Sequence, residues 1–231
     1  MEKQFERVEA LFGESLNSLT KKHVAVFGLG GVGGYIVETL IRSGLKEISI
    51  IDSDTISITN LNRQIIATHE TMGKNKTDVM KERILNINPN CIIHTYNLFF
   101  SEETMTQIPF ESFDYVCDAI DSVASKVLLI KTCVDKNIPI ISSMGTGNKL
   151  DPTKLEITDI SKTRACPLAK TIRQCLRKIG INHLDVVFST EENTRTNILD
   201  NGKLVPSSFM PVPATAGLII GRYVIQQLIK E

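Results

Sequence analysis

The sequence predicts an α/β fold, Rossmann-like, with a mostly parallel sheet, helices on both of its faces and a C-terminal extension of mixed strands and helices. Three observations carry that expectation. Short apolar runs alternate with stretches of helical periodicity as far as residue 150, the rhythm of strand–helix–strand units. The first run, 24–27, passes directly into Gly28-x-Gly30-x-x-Gly33 and then into a helix with Ile36, Val37, Leu40 and Ile41 on one side. The second run, 47–51, closes on Asp52. A glycine turn between strand and helix needs a sharp bend, a backbone close to an anion and a tightly packed helix start, and the free N–H groups then face a phosphate. An acid at the end of the next strand accepts hydrogen bonds from ribose hydroxyls.

The elements follow in order. Residues 5–16 form an amphipathic helix that turns Phe5, Val8, Leu11 and Phe12 inward, with Arg7 elsewhere on its circumference. After Asp52 comes a polar connection, 53–64, of a length that is usually functional or disordered. Gly73-Lys-Asn-Lys76 leads into a helix with Val79, Met80, Arg83, Ile84 and Ile87, stopped by Asn88-Pro89. Runs 91–96, 113–118 and 138–143 are the third, fourth and fifth strands, with a helix over 123–134; the proline at 139 marks a strand beginning. From residue 151 the rhythm changes: 155–159 and 185–188 read as strands around a basic helix, 190–205 as a polar, mobile stretch, and 214–229 as a final apolar helix. One domain over 1–231 is expected, with a nucleotide-binding core in 1–150 and a substrate-side extension in 151–231.

Composition excludes several classes. Lys+Arg and Asp+Glu balance at 26 each, so an anion site must be local. Five cysteines with no C-x-x-C pair argue against a disulfide framework and a cysteine zinc site. No apolar signal core opens the chain, and the last helix is interrupted by Arg222, Gln226 and Gln227, so a cytoplasmic protein with no membrane partner is expected.

Arg63, Lys76 and Asp121 separate a triphosphate site from a dinucleotide site. Moving pyrophosphate away from the α-phosphorus of ATP calls for placed cations and a carboxylate that holds Mg²⁺. No Walker loop is present, so attack at the γ-phosphate is not indicated. Taken singly, Arg63 could tie down its loop, Lys76 could be a solvated first-turn side chain, and Asp121 could cap the next helix. Together at one sheet edge they indicate catalysis, with Asp121 as the Mg²⁺ ligand.

At this point the motifs become recognisable. Gly28-Leu-Gly-Gly-Val-Gly33, Asp52-Ser-Asp-Thr, Asn60-Leu-Asn-Arg-Gln64, Gly73-x-x-Lys76, Ile87-Asn-Pro89 and Asp118-Ala-Ile-Asp-Ser122 resemble the ubiquitin-activating-enzyme-like adenylating family over nearly the whole chain. Ser142-Ser-Met-Gly-Thr-Gly147, Leu150-Asp-Pro-Thr153, Asp159-Ile-Ser-Lys-Thr163 and the run 185–191 are similar to the branch that dehydrates threonylcarbamoyladenosine in tRNA. The resemblance implies that Gly28, Gly30, Gly31, Gly33, Asp52, Asp54, Asn60, Arg63 and Lys76 hold ATP, with Asp121 supporting Mg²⁺ and adenylyl transfer. It implies a homodimer in which Arg7 approaches the partner's nucleotide, and it leaves room for sulfur-relay proteins. Two other functions compete: adenylation of the C-terminus of a ubiquitin-like sulfur carrier, and a non-catalytic dinucleotide-binding regulator. Cys166 lies by a basic segment, yet it matches no cysteine motif and reads as a buried, incidental thiol.

Between Asp159 and Asp185 there is no acidic residue. In the helix after Pro167, Lys170, Arg173, Arg177 and Lys178 spread over one side for a tRNA backbone, leaving Leu168, Ile172, Leu176 and Ile179 for the core.

Overall fold

The computed structural model describes residues 3–192, 197–200 and 203–229. Seven strands form one sheet: β1 (His23–Phe27), β2 (Glu47–Ile51), β3 (Ile92–Tyr96), β4 (Tyr115–Asp118), β5 (Ile140–Ser143), β6 (Leu155–Asp159) and β7 (Asp185–Ser189). Their order is β3-β2-β1-β4-β5-β7-β6, and every pairing is parallel except that of β6 with β7. Strand β1 is buried along its whole length, as the apolar run of a central parallel strand requires. The order reverses between β1 and β4, and such a reversal opens a crevice beyond the strands' C-terminal ends.

One face of the sheet carries α3 (Gly33–Arg42), α4 (Lys76–Ile87) and α7 (Pro211–Leu228), with Ile36, Leu40, Met80, Ile84, Ile220 and Val224 in a shared core. The other carries α5 (Val123–Asp135) and α6 (Pro167–Lys178). On that side Phe27, Phe100, Phe110 and Phe113 pack with Leu129 and Cys133, and Ile172 and Leu176 pack with Val186 and Phe188. The extension therefore continues the sheet through β6 and β7.

The connection 53–64 is ordered, with Ile56 and Asn60 buried, a 3₁₀ turn at Ile58–Asn60 and an isolated bridge from Thr55 to Asn75. Three expectations change. The N-terminal helix is not continuous: Gly13, at φ +60°, separates α1 (Glu6–Phe12) from α2 (Leu16–Leu19). Phe5 is buried, and Val8 and Phe12 pack against the core as expected, joined by the buried Leu16 and Leu19, but Leu11 is 83% exposed. The expected mobile stretch 190–205 lies partly outside the described residues; within it β8 (Asn197–Asp200) pairs antiparallel with β9 (Lys203–Pro206). The last helix begins at Pro211, since proline at the first helical turn lacks only an N–H that has no helical partner there.

Helices α3 and α7 approach so closely that side chains are excluded between them. A Cβ on Gly217 would stand 2.4 Å from the Val32 carbonyl oxygen, and one on Gly221 2.6 Å from the Thr39 Cβ. In an open helix Gly→Ala stabilises by about 1 kcal/mol. Gly217→Ala is expected to do the reverse, lowering stability by about 1–3 kcal/mol through overpacking. Urea unfolding checks it, and a raised midpoint at unchanged slope would overturn the packing argument.

Candidate active site

The glycine turn is built by steric exclusion. Gly28 sits at φ +89°, and a Cβ there would lie 2.7 Å from the Ala119 carbonyl oxygen. A Cβ on Gly33 would lie 1.8 Å from the Gly28 carbonyl oxygen, so the turn and the start of α3 tolerate no side chain. Asp52 locks the turn from the neighbouring strand. Its Oδ2 accepts from the Leu29 N–H at 2.6 Å, and its Oδ1 accepts from the Asp54 N–H at 2.8 Å. Burial raises the Asp52 pKa above the usual carboxylate value, opposed by Lys76 and by these two N–H donors.

Lys76 opens α4 and is only 5% exposed, which excludes a solvated first-turn side chain. Its ammonium donates to Asp54 Oδ2 at 2.7 Å and lies 3.8 Å from Asp52 Oδ1. Arg63 donates through Nη1 to the Thr59 carbonyl at 2.8 Å and to Asn62 Oδ1 at 2.9 Å, two acceptors for a guanidinium with five N–H donors. Burial lowers its pKa, and the Asp121 charge works the other way. Asn60 is turned partly to its own loop, its Oδ1 accepting from the Ser57 N–H at 3.1 Å. Asp121 is exposed, and the N-cap position of α5 is held by Ser122, whose side chain makes no capping hydrogen bond, so Asp121 does not stand at the helix cap.

Gly28, Gly30, Gly31, Asp52, Asp54 and Asn60 line one cavity of about 850 Å³ at the C-terminal edge of β1 and β4, together with Arg63, Lys76 and Asp121. Gly33 is buried behind the turn, and Arg7 is exposed on α1, away from this chain's cavity lining. Gln64 also lines the cavity, and its buried Oε1 has no hydrogen-bond partner among the described residues. The side-chain-free cradle of backbone N–H groups fits an anion, and the orphaned amide oxygen beside it calls for a hydrogen-bond donor on the same polar occupant.

Several parts of the site have no role assigned to them from the sequence, although Asp118 and 142–147 lie in the quoted motifs. Asp118 and Lys126 are both 0% exposed and paired at 2.7 Å, and Ser142 donates to the same carboxylate oxygen at 2.5 Å. The other Asp118 oxygen accepts from the Ile120 N–H at 3.0 Å, fixing the loop that presents Asp121. The far wall of the cavity comes from 143–148, the first turn of α6 and the segment 206–208. Asn148 Oδ1 accepts from both the backbone N–H and the hydroxyl of Ser207, at 2.8 and 2.9 Å, and thereby ties that segment down. Ala165 adopts φ +55° just before Cys166, an uncommon backbone for a residue with a Cβ. The Cys166 sulfur is buried and accepts from the Ala169 N–H at 3.5 Å as a helix cap. All five cysteines are free, and burial drives the Cys133 thiol up to about 12, the nearby Asp118 adding to it.

The basic helix differs from expectation at two positions. Lys170, Arg177 and Lys178 are exposed, but Arg173 turns inward and its Nη1 donates to the Ile160 and Thr163 carbonyls at 3.3 and 3.1 Å and to the Thr163 hydroxyl. It ties α6 to the turn after β6. Ile179 is 44% exposed, since α6 ends at Lys178 and Gly180, at φ +81°, turns the chain away.

The ThiF family model matches residues 2–231. A tRNA threonylcarbamoyladenosine dehydratase of Bacillus subtilis (strain 168) is 43% identical over 242 residues, covering 99% of this chain and 95% of that protein. Its namesake in Haemophilus influenzae is 38% identical over 234 residues, covering 94% and 90%. The solved structure of E. coli tRNA N6-threonylcarbamoyladenosine dehydratase, TcdA, in complex with ATP is similar at a TM-score of 0.90 with 34% identity, covering 99% of this chain and 94% of that one. With a family model and relatives that run almost end to end over the motifs of its cavity, the chain belongs to the ThiF family.

Proposed function

We propose that the chain is an ATP-dependent dehydratase that cyclises N6-threonylcarbamoyladenosine in tRNA through an adenylated carboxylate. The observation that carries this is one cavity at the strand reversal holding a side-chain-free turn, a buried ribose-side acid, two cations and an exposed carboxylate. The names of the relatives supply the substrate.

The chemistry follows from that arrangement. A carboxylate oxygen of the threonyl group attacks the α-phosphorus of ATP, and pyrophosphate leaves. The carbamoyl side of the same group then attacks the acyl carbon, a proton is lost, and AMP departs with the former carboxylate oxygen. The substrate loses the elements of one water, and because the second attack is internal, effective concentration favours it. In this reading the N–H groups of the turn and the start of α3 face the phosphates, and Asp52 accepts from the ribose. Arg63 and Lys76 offset the phosphate charge and hold the leaving group in line. Asp121, exposed and unused as a helix cap, is the residue that would hold Mg²⁺, which supplies charge neutralisation on the departing pyrophosphate.

The basic surface of α6 contacts tRNA through Lys170, Arg177 and Lys178, with Arg173 as its internal strut. A homodimer brings Arg7 to the partner's cavity, a reading supported by its exposure beside the solvent-facing Leu11 on α1. No described helix is long and apolar enough to cross a membrane, in keeping with the proposed place in the cytoplasm.

The primary test is incubation with bulk tRNA and ATP followed by mass analysis of the nucleosides; the expected product is one water lighter than threonylcarbamoyladenosine. An unchanged nucleoside alongside pyrophosphate release would point to another carboxylate substrate. Asp121→Asn is expected to retain the fold and lower turnover on the order of a hundredfold or more, the scale of losing a placed electrostatic group. Near-normal turnover with an unchanged Mg²⁺ optimum would remove Asp121 from its role. Arg63→Ala should weaken ATP more than AMP in calorimetric titrations, and equal losses would place the guanidinium off the phosphates. Lys170→Glu with Arg177→Glu should raise the apparent KM for tRNA and flatten its salt dependence while ATP affinity holds. A wild-type salt series in that double variant would move the RNA surface elsewhere.

A further inference from the structure

At the N-terminal edge of the sheet, opposite the nucleotide cavity, three neighbouring strands turn metal-ligating side chains to one face. His23 begins β1 and pairs in register with Glu47 of β2, while His94 of β3 pairs with Ser49, two residues beyond Glu47. In-register parallel positions point to the same side, and residues two apart in a strand share a face, so the four side chains converge. The ligand atoms of His23, Glu47 and His94 all lie within 4.8 Å of one another. Glu47 Oε1 is 3.0 Å from His94 Nε2 and 3.6 Å from His23 Nδ1. A tetrahedral cation with bonds of about 2.0–2.1 Å holds its ligands roughly 3.3–3.4 Å apart, and the two separations bracket that spacing.

The buried imidazole is held in the orientation a ligand needs. His23 Nε2 lies 2.9 Å from the hydroxyl of Ser49, which is fully buried, and Phe113 meets the ring edge-on at a centroid distance of 5.0 Å. Those contacts aim Nδ1 at Glu47. When Nε2–H donates to Ser49 Oγ, Nδ1 carries the lone pair, the arrangement by which outer hydrogen bonds set the tautomer of a metal-bound histidine. The His94 ring lies 5.2 Å from that of His23. Burial lowers the His23 pKa and His94 adds to that, while Glu47, Asp114 and the Ser112 carbonyl oppose it. Of the other charges at hand, Asp114 accepts the His23 backbone N–H at 2.8 Å, and its carboxylate is paired with Lys22 at 3.2 Å. Glu47 is then the carboxylate that faces both imidazoles.

We infer that His23 Nδ1, the Glu47 carboxylate and His94 Nε2 form a binding site for a borderline divalent cation of the zinc class. Two imidazoles and one carboxylate suit that class over Mg²⁺ or Ca²⁺, which prefer oxygen ligands. The His94 and Glu47 side chains are 41% and 37% exposed, so the cation enters from solvent and completes its shell with water. His23 stands four residues before Phe27, which lines the cavity, a separation of about 13 Å along an extended strand. The cation takes no part in adenylation. It fastens the edge strand β3 to β2 and β1 at a place where hydrogen bonds reach only one side of the ladder.

The test uses the full chain, stripped with a chelator and titrated with Zn²⁺ by calorimetry, with Mg²⁺ in parallel. One saturable Zn²⁺ site per chain is expected, with no heat of specific binding from Mg²⁺ and a raised thermal midpoint on Zn²⁺ addition. His94→Gln and Glu47→Gln, both at half-exposed positions that the fold tolerates, should each weaken Zn²⁺ at least tenfold and lose the thermal shift, while ATP affinity stays at the wild-type value. Substitution with Co²⁺ separates this site from the five thiols: a spectrum without sulfur-to-metal charge transfer is expected. The inference is overturned by the absence of a saturable Zn²⁺ site in the wild-type chain, by wild-type Zn²⁺ affinity in either variant, or by a thiolate charge-transfer band.

Discussion

The whole site depends on backbone meeting backbone where β1 turns into α3. Gly33 rests against the Gly28 carbonyl, and Gly28 rests against Ala119 at the end of β4, at distances that no Cβ permits. That contact draws the start of α3 down onto the two central strands and leaves N–H groups open at the strand reversal. Asp52 secures it from β2 by taking the Leu29 N–H. The nucleotide cavity is thus a consequence of how three strands and one helix start are forced together.

Charge at that edge is graded by burial. Asp118 and Lys126 neutralise each other in the interior, and the loss of one partner from such a pair typically costs about 3–5 kcal/mol because the other charge stays buried. Their work is to hold the 119–121 loop through Ile120. Three residues on, Asp121 is exposed to the cavity. Lys76 stands between, enclosed but facing two carboxylates, so its charge is kept in place without being desolvated alone. The C-terminal extension completes the enclosure from the opposite side, as Ser207 is fastened to Asn148 and Asn62 reaches the Ser208 carbonyl at 3.2 Å.

The two edges of the sheet are chemically unlike. The C-terminal edge gathers helix starts, glycine backbone and cations, which suit phosphates. The N-terminal edge gathers two imidazoles and a carboxylate, which suit a cation. Parallel pairing produces this division, since every helix between parallel strands starts near the C-terminal edge and returns toward the other.

Much of the fold could be read from the sequence, because it rests on local chemistry. Short apolar runs, period-3.6 patterning, the glycine spacing and the acid at the end of the second run located the seven strands of the main sheet, α3 and the place of the cavity. Arg63, Lys76 and Asp121 were legible as a group because parallel strands must bring their C-terminal loops to one edge. What the sequence did not determine was the direction of individual side chains across packed surfaces. Arg173 looks in sequence like Arg177, yet it turns to the carbonyls after β6 because that turn packs beside it. Asp118 and Asp121 belong to one short motif, and only the packing of α5 on β4 and β5 decides that one is sealed with Lys126 and the other is open. The joining of His23, Glu47 and His94 rests on strand register, a relation between residues up to 71 positions apart that no local pattern encodes.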